Sequence, residues 1–157
     1  MTIPRFAADV DPAQVVAALE QHGCAIVERL AEAALCDRVE DELAPWMART
    51  PTGGDEFTGR NTRRTGALLA RSPSSVGLIA HPTVLAVVDG VLGRKDTKYQ
   101  LHLTQAIAIG PDSPRQQLHR DHWCFNFHRF PVDLDVEVST IWAMCDFTEA
   151  NGATRVI

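Results

Sequence analysis

Tyr99-Gln100-Leu101-His102-Leu103-Thr104-Gln105-Ala106-Ile107-Ala108-Ile109 marks a change of grammar in this chain. Dense in Leu, Ile and Thr, it reads as strand, as does Asp135 to Met144 further on, with Gly110-Pro111-Asp112-Ser113-Pro114 supplying turn residues between them. Upstream the pattern is helical. Asp11 before Pro12 gives an N-cap with proline at the first helical position, Val15, Val16 and Leu19 give an apolar face, and Gly23 gives a stop. A helix is therefore expected over residues 12 to 22, followed by a short buried strand at Cys24-Ala25-Ile26-Val27. Leu35, Val39, Leu43 and Met47 recur at fourfold spacing and predict an amphipathic helix over Ala33 to Met47, with Trp46 in the core. Thr50 to Thr62 is a loop by composition, and Pro73 and Pro82 each mark a helix start, the second helix stopping at Gly93.

Helices first and strands afterwards is the order of an α+β fold, with the helices packed outside a mainly antiparallel sheet; a sandwich or jelly roll fits this better than a doubly wound sheet. The 157 residues, 45% hydrophobic and 22% charged, suit one domain, helical over about residues 1–96 and β over about 97–157. Fifteen Lys+Arg against 20 Asp+Glu give a net charge of -5, which disfavours nucleic acid as a partner, and no apolar run approaches the length of a membrane span. Cys24, Cys36, Cys124 and Cys145 form no C-x-x-C pair, and the first residues carry no apolar signal core, so a reducing, cytoplasmic setting is the expectation. The last residues, Ala153-Thr154-Arg155-Val156-Ile157, read as the opening of a strand, so the chain is expected to be part of a longer one.

The densest polar chemistry is Gln116-Gln117-Leu118-His119-Arg120-Asp121-His122-Trp123. In an extended segment, a period of two turns His119 and Asp121 to the same side and His122 away. Imidazole nitrogen with carboxylate oxygen is a donor mixture suited to non-haem Fe(II), where two His and one carboxylate occupy one face of an octahedron. Spacing alone favours a plain salt-bridged or hydrogen-bonded pair on a strand over a metal site. Arg60, Arg63 and Arg64 make the densest positive charge, readable as a solvated face or as an anion site. Gln105 and Gln117 are candidate donors into the same site or ordinary strand residues. His128 and Arg129 belong to a loop, Cys124 to Asp133, that suits a lid or a substrate pocket and equally a plain surface role, while His22 and His81 are helix-end residues.

The block at Gln116 to Trp123, the strand Leu101 to Ile109, and the later Ser139-Thr140-Ile141-Trp142-Ala143-Met144 with Asn151-Gly152-Ala153-Thr154 together resemble the phytanoyl-CoA dioxygenase family of Fe(II)- and 2-oxoglutarate-dependent oxygenases. The resemblance runs from about Ala18 to the last residue. It implies a double-stranded β-helix, a jelly roll, with His119 and Asp121 as the first two iron ligands, and Fe(II), 2-oxoglutarate and O2 as the reacting set. It further implies Trp142 beside the 2-oxoglutarate and a basic residue, for which Arg64 is the candidate, reaching the cosubstrate carboxylate. In this family a small residue in place of the aspartate opens the site to halide, so Asp121 implies hydroxylation of a small-molecule C–H bond. The second histidine ligand and the arginine that anchors the distal carboxylate come after the N-G-A-T segment in the family, at positions beyond this sequence.

Three other readings compete with this one. His119-Arg120-Asp121 with Asn126 matches the kinase catalytic-loop spacing, but no Gly-rich loop precedes it and Asp146-Phe147 is followed by Thr148. The second alternative is a truncated, metal-free oxygenase-like domain acting as a non-catalytic binding module. A zinc-dependent cupin-like hydrolase is a weaker third, because two ligands do not fix the metal.

Overall fold

The computed structural model describes residues 2–93, 98–121, 129–131 and 134–157. In chain order the elements are β1 (Arg5–Phe6), α1 (Pro12–His22), β2 (Ile26–Val27), α2 (Ala33–Arg49), β3 (Thr62–Gly66), α3 (Leu68–Arg71), a 3-10 turn (Pro73–Ser75), α4 (Val76–Ile79), α5 (Pro82–Leu92), β4 (Gln105–Ile109) and a second 3-10 turn (Glu149–Asn151). They fall into two compact units.

The first unit holds residues 1–32, 79–100 and 119–141. Its α1 begins as the sequence dictates: the Asp11 carboxylate accepts from the Ala13 N–H at 3.0 Å, and Pro12 fills the first turn. It ends at Gly23, whose φ of 72° is left-handed and whose N–H donates to the Leu19 carbonyl. Val15 and Val16 are buried with Val87 of α5, and Phe6 and Val27 of the parallel β1–β2 pair pack against them. The α1–α5 approach is close at Gly90, where an added Cβ would lie 2.6 Å from Val16 Cγ2. Gly90→Ala should gain up to about 1 kcal/mol in helix propensity but lose about 1–3 kcal/mol to overpacking against a stiff β-branched neighbour. A lower melting temperature is the expected result; a higher one would show that the two helices separate at little cost.

The second unit holds residues 33–78, 101–118 and 142–157. Val39 and Leu43 of α2 are buried, whereas Trp46, expected in the core, is 39% exposed. The guanidinium groups of Arg49 and Arg71 lie over its ring, 4.8 and 5.1 Å from the ring centre, a favourable cation–π arrangement for a half-exposed indole. Fully buried side chains here are hydroxyls: Thr65, Ser72 and Ser75. Each has a partner, Thr65 with Thr50 Oγ1 at 2.7 Å, Ser75 with the Ser72 carbonyl at 2.7 Å, and Ser72 with Glu42.

Glu42 ties α2 to the 73–75 turn by accepting from Ser72 Oγ at 2.5 Å, from the Ser74 N–H at 3.0 Å and from Ser74 Oγ at 2.8 Å. The Ser72 hydroxyl, then the two Ser74 donors, hold its carboxyl below the ordinary 4.5. A carboxylate more acidic folded than unfolded stabilises the fold fully above pH 4.5, and that contribution is lost as pH falls through the folded value. Glu42→Gln should therefore melt at lower temperature than the parent at neutral pH, with the gap narrowing on acidification below 4.5. A gap independent of pH would assign the loss to packing.

The sheet in this unit is the antiparallel pair β3–β4, in register Thr62↔Ile109, Arg64↔Ile107 and Gly66↔Gln105. The strand β3, Thr-Arg-Arg-Thr-Gly, lies where the sequence suggested only the exit of a loop; its two β-branched threonines, Thr62 and Thr65, are the buried ones. Strand structure over Tyr99 to Ile109 is confined to Gln105–Ile109, and the described residues of Asp135 to Met144 form none. A strand needs a neighbouring strand for its N–H and C=O groups, and among the described residues the sheet that β4 joins has β3 as its other strand. Ile107 and Ile109 of β4 remain 51% and 50% exposed. The fold is α+β with two two-stranded sheets and no closed barrel among the described residues. No single helix is long and apolar enough to cross a membrane among the described residues.

Candidate metal pair and anion cleft

His119 and Asp121 lie in the first unit. Residues 113–120 are neither helix nor strand, so the regular extended segment expected there is not present. The two side chains converge nevertheless: His119 Nε2 and Asp121 Oδ1 are 3.3 Å apart. The other carboxylate oxygen, Oδ2, accepts from Ser139 Oγ at 3.0 Å, which fixes the plane of the carboxylate. Two donors held at about 2.1 Å by one octahedral ion in neighbouring positions stand about 3 Å apart, so this pair fits shared coordination as well as a direct ion pair. Among the described residues no group of three His, Cys, Asp or Glu side chains assembles. Ser139 is the residue that the chemistry of the sequence did not single out; a lone hydroxyl 18 residues downstream carries no local signal. His122 and His128 lie outside the described residues.

Arg64 and Gln105 lie in the second unit and line an open cleft of about 410 Å³ together with Thr50, Gly53, Thr58 and Thr62. Of the three arginines, it is Arg64 that faces this space. Arg63 Nε donates to the Thr50 carbonyl at 3.2 Å and Arg60 Nη1 to the Gly54 carbonyl at 3.3 Å, so both hold the loop. Arg64 Nε donates to the Thr58 carbonyl at 3.0 Å and Nη1 to Gln105 Oε1 at 3.2 Å. One guanidinium among three threonines suits a carboxylate.

The loop from Gly53 to Asn61 is built around Asp55, whose Oδ1 accepts from the Thr58 N–H and the Thr58 hydroxyl, both at 2.7 Å. Those bonds, the backbone one first, hold the Asp55 carboxyl below its ordinary 3.8. Gly59 has φ 85°, and a Cβ there would collide with the Thr62 side chain, so glycine is required at this turn. Gln116 reaches the same loop through Nε2, donating to the Phe57 carbonyl at 3.0 Å. Trp142 is half-buried in this unit.

A family model described as phytanoyl-CoA dioxygenase matches residues 19–157. This chain belongs to the phytanoyl-CoA dioxygenase family. Similar proteins include dioxygenase trt7 of Aspergillus terreus, 28% identical over 162 residues that cover 99% of this chain and 57% of that protein. The iron/alpha-ketoglutarate-dependent dioxygenase okaE of Penicillium ochrochloron is 29% identical over 163 residues, covering 99% and 54%. The multifunctional dioxygenase prhA of Penicillium brasilianum is 24% identical over 162 residues, covering 99% and 54%. The chain thus spans about half the length of these curated relatives. The relatives of this chain are thus proteins named as dioxygenases, one of them as iron/alpha-ketoglutarate-dependent.

Proposed function

We propose that the chain belongs to an Fe(II)- and 2-oxoglutarate-dependent dioxygenase that hydroxylates a C–H bond of a small molecule. The balance is substrate C–H plus 2-oxoglutarate plus O2 giving substrate C–OH, succinate and CO2. The observation that carries the reading is the 3.3 Å approach of His119 Nε2 to Asp121 Oδ1, in a chain of the phytanoyl-CoA dioxygenase family. His119 and Asp121 hold the metal, and the Ser139 hydroxyl keeps Asp121 from rotating out of place. Arg64 receives a 2-oxoglutarate carboxylate in the cleft, Gln105 contributes to that site, and Trp142 stands as a wall beside the cosubstrate. When bound, iron with 2-oxoglutarate supplies the oxidising power; the protein supplies binding and orientation.

The same reading takes the finished fold to be a single jelly-roll domain, helical over about 1–96 and β from about 97, in which further strands cover the exposed face of β4. Exposed Ile107 and Ile109 support it, since apolar side chains on one sheet face call for a packing partner. A net charge of -5 favours a small-molecule substrate over nucleic acid or an anionic membrane, and the free Cys24, Cys36 and Cys145 suit a reducing, cytoplasmic setting. Succinate formed from 2-oxoglutarate with Fe(II) and O2 tests the activity: release that depends on all three supports it. Iron-independent background alone would promote the metal-free binding module.

A further inference from the structure

Arg64 and Gln105 meet because of sheet register. Arg64 pairs with Ile107, and Gln105, two residues from Ile107, shares its face, so the two long side chains are diagonal neighbours. Their bond at 3.2 Å takes one guanidinium donor, and the Thr58 carbonyl takes Nε–H at 3.0 Å. Of five N–H donors, three remain for the cleft among the described residues. The Thr58 carbonyl is itself held by the Asp55 turn.

We propose that Gln105 is a positioning residue: with the Thr58 carbonyl it clamps the Arg64 guanidinium so that its remaining donors form a carboxylate receiver, making the Gly53–Asn61 loop part of that anion site. The identity of the carboxylate, 2-oxoglutarate, rests on the function proposed above; the clamp does not. A long arginine side chain loses much rotamer freedom on binding, and a clamp imposes that loss before the ligand arrives. Coupling is reciprocal, so a carboxylate that orders Arg64 also orders the loop that supplies its Thr58 partner.

The test combines nitrogen-15 relaxation of the Arg64 Nε–H with calorimetric titration of 2-oxoglutarate, Mn(II) standing in for Fe(II). In the parent the Arg64 side chain should be rigid before ligand is added. Gln105→Leu should free it and weaken 2-oxoglutarate about tenfold, the scale of one hydrogen bond to a charged group. Gln105→Glu should leave Arg64 rigid yet also weaken binding, because its carboxylate occupies donors that the ligand needs; a purely structural glutamine would not separate the two readouts. Equal rigidity and equal affinity in Gln105→Leu would overturn the clamp. A parent in which Gln105→Leu frees Arg64 but 2-oxoglutarate never binds would support the clamp and overturn the cosubstrate.

Discussion

His119→Ala is expected to lower Mn(II) or Fe(II) affinity at least about 100-fold, the upper end of what losing even an outer-shell partner of a metal site costs. The His119 side chain is 29% exposed, in a segment that is neither helix nor strand, so the variant should melt close to the parent. Metal titration followed by calorimetry measures the first effect and thermal melting the second. Turnover should vanish with the metal; parent-like affinity in the variant would reduce the His119–Asp121 contact to an ordinary ion pair. The companion change Asp121→Gly should abolish hydroxylation as well, with halide or formate restoring some chemistry at the vacated position. It also strands the Ser139 hydroxyl, which is exposed enough for water to replace the lost acceptor.

Arg64→Ala is expected to weaken 2-oxoglutarate by about 10- to 100-fold, since hydrogen bonds to charged groups contribute about 1.5–3 kcal/mol. The charge itself is not the whole effect. Arg64→Lys keeps a cation but loses the planar fork that serves the Thr58 carbonyl and Gln105 Oε1 together, so it should recover only part of the affinity. Removing the Thr58 contact also loosens the loop, and proteolysis within residues 53–61 should quicken in Arg64→Ala. Unchanged 2-oxoglutarate affinity in both variants would move the carboxylate out of this cleft.

The helices were legible in the sequence because their signals are local. Asp11-Pro12 and Gly23 delimit α1 to the residue, and Pro82 and Gly93 delimit α5, since caps are set by side chains within a few positions of the backbone they satisfy. Long-range pairing is not encoded that way. Thr62–Gly66 carried no strand expectation and became β3 because Gln105–Ile109 lies opposite it, whereas Asp135–Met144, with stronger β-prone composition, forms no strand. Trp46 shows a second limit: helical spacing says which face a residue shares with Leu43, but two arginines from different elements decide what covers it. Family resemblance singled out His119 and Asp121 together, and the two side chains approach each other without the strand on which the sequence placed them. Ser139, and the role of Thr58 as Arg64's acceptor, depend on contacts between segments that no motif links.

The central claim is that His119 and Asp121 bind one ferrous ion together. Anaerobic addition of Fe(II) and 2-oxoglutarate, watched in the visible spectrum, tests it most directly. The parent should develop the weak charge-transfer band of iron chelated by a 2-oxo acid, and Asp121→Ala and His119→Ala should each fail to do so. A band that survives both substitutions, or one that never forms in the parent, would contradict the claim.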